Sequence, residues 1–137
     1  MTADCLLDTN ILVYAVDTAP NNRSKRAIAI ELIRQKDFGL SAQVLQEFYV
    51  TVTRKFTKPL APKKTLAFLD NFQAFPTVPT DRSLITLGIR NSIKYQVSYW
   101  DGAILAAAER LKVSILYSED LNHLQRYGTV QVINPFV

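Results

Sequence analysis

Short apolar runs in this chain alternate with longer segments whose apolar residues recur every third or fourth position. The runs fall at residues 3–7, 38–41, 74–78, 113–117 and 129–133, and the periodic segments at 10–16, 23–36, 43–54, 62–72, 81–94 and 98–111. Compact apolar or alternating runs mark strands, and a 3.6-residue period marks helices. Strands that alternate with helices are joined by right-handed crossovers, which make neighbouring strands parallel and lay helices on both faces of the sheet. The expectation is an α/β fold, a three-layer α/β/α sandwich around a central, mostly parallel sheet of about five strands. With 137 residues, nearly half of them hydrophobic, the chain suits a single domain over residues 1–137 and is too short for two.

In open parallel sheets ligands bind at the carboxyl ends of the strands. Asp8 follows the first apolar run directly, so it stands either as the cap of the helix beginning near Asn10 or as an acid on that rim. The run at 113–117 repeats the pattern and ends in Ser118-Glu119-Asp120-Leu121, again either a capped turn or a rim acid. Asp101 opens the helix that feeds this strand. Ser98 three residues earlier makes a loose capping box, but helical spacing puts Asp101 on the side of Ile104, Leu105 and Ala108, the face that packs on the sheet. Glu47 lies beside the stripe Val44, Leu45, Phe48 and Val52, and its ordinary role would be a solvated glutamate reaching Thr51 or Arg54.

Each acid has an ordinary explanation; together Asp8, Glu47, Asp101 and Asp120 are placed to converge. Close carboxylate pairs repel by about 4 kcal/mol at an effective dielectric of 20, an objection that a bound divalent cation removes. An all-oxygen donor set favours Mg²⁺ or Mn²⁺. Such an ion polarises a phosphodiester, turns bound water into hydroxide and shields the leaving oxygen.

Composition narrows the alternatives. The lone Cys5 allows no internal disulfide and reads as a buried hydrophobe. The lone His123 rules out a His-rich zinc site and reads as a solvated or capping residue. No apolar run approaches the ~20 residues that span a bilayer, and the N-terminus lacks the order of a signal peptide, so a soluble, cytoplasmic protein is expected. Net charge is +4, from 16 Lys and Arg against 12 Asp and Glu. If four acids are gathered around a metal, the remaining surface is distinctly basic. Arg23, Lys25, Arg26, Arg54, Lys55 and Lys58 are candidates to meet a phosphate backbone. Tyr14, Tyr99 and Trp100 are candidates to stack on bases, although the position of Trp100 on the apolar face predicts core packing.

Asp8-Thr9-Asn10 after the first strand, Gln46-Glu47-Phe48, Trp100-Asp101-Gly102-Ala103 and Ser118-Glu119-Asp120-Leu121, in this order and at these intervals, resemble a PIN domain. The closing Asn134-Pro135-Phe136 is similar to the ends of VapC-type toxins. The resemblance implies a PIN-like sandwich and a Mg²⁺- or Mn²⁺-dependent endoribonuclease, the toxin of a toxin–antitoxin pair, often a homodimer and inhibited by a small antitoxin protein. It implies Asp8, Glu47, Asp101 and Asp120 as metal-site acids, with Thr9, Asn10 and Ser118 orienting ligands or water. Glu119 is the ambiguous neighbour; the Ser-Glu-Asp register favours Asp120 as the fourth acid. Water attack on an RNA phosphodiester would then pass its proton to Asp101 or Asp120. Two other readings stay open. One is a non-catalytic PIN-like module that binds RNA or protein. The other is a haloacid dehalogenase-type phosphatase, which wants a second Asp where Asn10 stands.

Overall fold

The computed structural model describes residues 2–137. The chain runs β1 (Cys5–Leu7), α1 (Thr9–Val16), a 3₁₀ turn (Pro20–Asn22), α2 (Arg23–Gln35), β2 (Phe38–Ser41), α3 (Ala42–Val50) and a π-helical turn (Thr51–Lys55). It continues through α4 (Pro62–Asp70), β3 (Thr77–Val78), α5 (Arg82–Tyr95), α6 (Tyr99–Leu111), β4 (Ile115–Tyr117), β5 (Arg126–Tyr127) and β6 (Val130–Ile133).

The sheet order is β3-β2-β1-β4-β6-β5. Every pairing is parallel except the hairpin of β5 on β6, with Leu6 aligned to Leu116 and Leu7 to Tyr117 at the centre. The mostly parallel α/β architecture is as the alternation dictates, and the sheet of about five strands expected from it has six. The additional strand, β5, is two residues long and hangs on the edge through a turn at Gly128, whose φ of 63° suits glycine.

The central strands β1 and β2 are buried at every residue, as expected of a parallel sheet covered on both faces. Cys5 lies within β1, and burial pushes its thiol up to about 11, which makes it inert at neutral pH. Val44, Phe48 and Val52 form the inner stripe that the spacing of α3 predicts. Phe48 and Phe38 lead into an aromatic cluster with Phe68, Phe72 and Phe75, whose ring pairs lie 4.4 to 6.0 Å apart. In α2 the buried residue is Ala29, while Ala27 is exposed.

Helix α6 is the least ambiguous element. All seven residues from 102 to 108 are buried, and it packs backbone to backbone against α5. A Cβ on Gly102 would lie 2.4 Å from the Gly88 carbonyl oxygen and 2.8 Å from the Ser92 nitrogen. Only glycine permits that approach. Buried Asn91 fixes the register by donating from Nδ2 to the Gly102 carbonyl at 3.1 Å. His123 Nδ1 accepts from the Asn134 amide at 3.0 Å, just past the end of β6. Among the described residues no helix is long and apolar enough to cross a membrane.

Candidate acidic site at the sheet rim

Asp8 leaves β1 and enters α1 in one residue. Its φ and ψ of −76° and 165° make it the helix N-cap, so it plays both roles its position allows. The Thr9 amide donates to Oδ1 at 2.7 Å and the Ser118 hydroxyl to Oδ2 at 2.7 Å, with Asp8 only 7% exposed. Burial pushes the Asp8 carboxyl up to about 7. The two hydrogen bonds oppose that rise, and the charges of Asp120 and Glu47 add to it.

Ser118 is fully buried at the end of β4 and works in two directions. Its hydroxyl donates to Asp8 and accepts from the Asp120 amide at 3.1 Å, so one oxygen sets the spacing between two acids. Asp120 itself is exposed, and burial of its carboxyl followed by the charges of Glu119 and Glu47 raises it, against the Asn10 amide. Asn10 lies close enough to act on Asp120 but makes no complete hydrogen bond with it. Its Nδ2 is buried without a partner, and its Oδ1 accepts a long 3.4 Å bond from the Glu119 amide.

Glu47 does not reach Thr51 or Arg54. The Thr9 hydroxyl donates to Oε2 at 3.2 Å and Gln43 Nε2 to Oε1 at 2.7 Å. The Gln43–Glu47 spacing of four was visible in the sequence as a helical pair. Asp101, half-buried, has its amide capped by Ser98 Oγ at 3.1 Å. Its carboxyl is raised by burial, lowered by Ser98 and raised again by Asp120 and Glu47. Asp8 and Asp101 each feel the charges of Asp120 and Glu47, so the four acids act on one another across β1, α3, α6 and β4.

The chemistry of this set, carboxylate oxygens with an orphaned buried amide, fits a hard divalent cation. The spacing is more open than a closed cage. Among the described residues, no three Asp, Glu, His or Cys side chains stand close enough to hold an ion between them as they are placed.

Glu119 is held by Tyr14 and Lys25. Tyr14 donates to its Oε1 at 2.5 Å and Lys25 to its Oε2 at 3.1 Å. Lys25 also lies 4.8 Å from the Tyr14 ring centroid and 5.7 Å from that of Phe136. Tyr14 and Lys25 serve this cluster, and the Asn134-Pro135-Phe136 ending packs against it, with the Phe136 ring 4.9 Å from that of Tyr14. Arg23, Arg26, Arg54, Lys55 and Lys58 are exposed. Lys55 and Lys58 line a hollow of about 520 Å³ opposite Asp17 and Asn22.

Trp100 is the clearest correction. It is 62% exposed and does not pack in the core. It sits in the first turn of α6, ahead of the buried stretch, and lines an open groove with Glu47. Helical spacing misleads there because that turn lies before the stretch covered by neighbours.

The model of the PIN domain family matches residues 5–129. The chain belongs to the PIN domain family. Membership supports a nuclease at the level of the family and removes the dehalogenase-type reading. Among solved structures, it is similar to VapC20 of Mycobacterium tuberculosis, described as a Sarcin-Ricin loop cleaving toxin. The identity is 13%, covering 85% of this chain and 91% of that one, with a TM-score of 0.67. A toxin–antitoxin complex from Klebsiella pneumoniae matches at 16% identity, over 96% and 97% of the two chains, with a TM-score of 0.68. VapBC2 from Rickettsia felis, bound to a DNA fragment from its promoter, matches at 19%, over 93% and 96%, with a TM-score of 0.62. At these identities the likeness establishes a shared fold. No curated protein matches the chain by sequence.

Proposed function

We propose that this PIN domain is a Mg²⁺- or Mn²⁺-dependent endoribonuclease and the toxin of a toxin–antitoxin pair. The observation that carries the reading is the set Asp8, Glu47, Asp101 and Asp120 at the carboxyl rim of a parallel sheet, with Asp8, Asp101 and Asp120 raised by burial and by neighbouring carboxylate charge. Such a set is costly unless a cation joins it. The four carboxylates would hold the ion. When bound, it would supply Lewis-acid activation of a phosphodiester and of water.

The chain's own groups do the rest. Ser118 and the Thr9 amide hold Asp8 in one orientation, while Thr9 and Gln43 hold Glu47. Asp101 and Asp120, the more accessible acids with raised affinity for protons, are the groups that accept a proton from attacking water. Exposed Arg23, Arg26, Arg54, Lys55 and Lys58 supply phosphate contacts that position RNA without choosing its sequence. A small antitoxin as inhibitor belongs to this reading, supported by toxin–antitoxin complexes among the structural neighbours, and a homodimeric assembly and a cytoplasmic site of action accompany it as part of the proposal.

The test is incubation of purified, antitoxin-free protein with RNA in Mg²⁺ or Mn²⁺ and then in EDTA. Cleavage that requires metal and disappears in Asp8→Asn and Asp101→Asn is expected. Metal-dependent cleavage that survives either substitution removes the proposed site. The open spacing of the acids favours a second reading, a PIN-like module that binds RNA or protein without cutting. Absence of cleavage by antitoxin-free protein would establish it over the first.

A further inference from the structure

Trp100 is the chain's only tryptophan, and an indole left 62% exposed beside a cluster of acids calls for a partner. It forms one wall of a groove of about 480 Å³ whose other walls include Gln46, Glu47, Val50, Thr51 and Lys55. That volume is within the ~300–1,000 Å³ of sites that enclose one small organic group.

The indole is braced for a fixed pose. Tyr99 meets it edge-on, with ring centroids 5.0 Å apart and planes at 73°. Tyr99 in turn lies tight on α5 because position 88 is glycine, where a Cβ would stand 3.1 Å from Tyr99 Cε1. The opposite wall is shaped by the π-helical turn. Continued as an α-helix at about 100° per residue, α3 would carry Lys55 progressively round from Glu47 and Thr51. The wider i→i+5 turn over Thr51–Lys55 rotates less per residue and keeps Lys55 on their side. Lys55 is exposed and makes no salt bridge among the described residues.

The groove thus combines an aromatic face, an exposed amide and an unpaired ammonium, and it opens onto Glu47 of the acidic rim. We infer that it holds one unpaired RNA nucleotide next to the phosphodiester at that rim, its base stacked on Trp100 and its phosphate on Lys55. The inference rests on the ribonuclease reading for the polymer and on the groove for the subsite. Stacking on aromatic side chains requires a base freed from pairing, so the subsite selects single-stranded segments and tolerates sequence. A basic peptide would suit Glu47 but would be opposed by Lys55 and the exposed Arg54 beside it.

Because Trp100 is the sole tryptophan, its fluorescence reports on the groove directly. In EDTA, a short unstructured RNA of about eight nucleotides quenches the emission saturably, and the same strand annealed to its complement does not. Trp100→Ala weakens binding roughly 5- to 150-fold, the range that loss of one stacked base implies, and Trp100→Phe recovers most of it. RNA binding with unchanged emission overturns the inference. So does emission that shifts with protein concentration alone, which would make the occupant a second copy, or that responds to the antitoxin and not to RNA. Cleavage of the same RNA in Mn²⁺ without quenching in EDTA leaves the ribonuclease standing and removes the subsite. Quenching without cleavage keeps the subsite and removes the ribonuclease.

Discussion

The two sides of the rim are built on opposite principles. On the sheet side, Asp8 and Ser118 sit at the ends of adjacent central strands, buried and saturated with hydrogen bonds. On the helix side, Glu47 is only half-buried, while Trp100 and Lys55 are exposed. Rigid strands hold the group whose position must not vary, and the first turn of a helix and a π-helical turn present the groups that meet something variable. The contrast separates what is held for chemistry from what is offered for recognition.

Substitutions of Asp8 and Ser118 should therefore damage both stability and activity, and those of Trp100 and Lys55 recognition alone. Asp8→Asn is the largest expected effect: RNA cleavage in Mg²⁺ or Mn²⁺ falls to the level seen in EDTA. Asp101→Asn follows, and if Asp101 is the proton acceptor its cleavage rate drops by about 10²- to 10⁴-fold, measured in single turnover. Ser118→Ala strips a buried partner from both Asp8 and the Asp120 amide. Loss of roughly 1–3 kcal/mol in urea unfolding is expected, with metal affinity weaker by about 10- to 100-fold in titration calorimetry.

The closed side also carries a pH signature. Asp8 is raised from 3.8 to about 7, so the folded metal-free protein binds that proton more tightly than the unfolded chain. Its contribution to stability is complete below the unfolded value and is lost as pH rises through about 7. Thermal melting in EDTA should fall between pH 5 and pH 8; Asp8→Asn should flatten the decline, and saturating Mg²⁺ should offset it. A metal-free melting temperature that rises over that interval would contradict the buried carboxyl. The smallest effect belongs to the open side. Lys55→Ala leaves unfolding free energy within about 0.5 kcal/mol and lowers the salt slope of RNA binding by roughly 0.7.

What was legible in the sequence follows the same division. Asp8 and Ser118-Glu119-Asp120 announce themselves because each follows an apolar run, and strand ends are read from neighbours in the chain. The inward tilt of Asp101 follows from its spacing to Ile104 and Ala108 for the same reason. Non-local relations were not legible. Glu119 meets Lys25 across 94 residues, a pairing that no local pattern announces. Strand β5, Arg126–Tyr127, is too short for periodicity and exists through its partner β6. The π-helical turn is invisible because Thr51 and Val52 continue a perfectly good α-helical stripe. Trp100 misled because helical spacing describes which way a residue faces, and says nothing of whether a neighbour extends far enough to cover it.

The hydrogen bond from Ser118 to Asp8 joins residues 110 positions apart. Its consequence is temporal. During synthesis at about 5–20 residues per second, Asp8 waits roughly 6 to 20 s before its partner has even been made. The α5–α6 hairpin, held by local glycine contacts, has everything it needs earlier. A nascent or truncated chain that lacks β4 can contain most of the helices and still have no organised acidic rim. The last sixth or so of translation thus acts as a clock on the protein's chemistry.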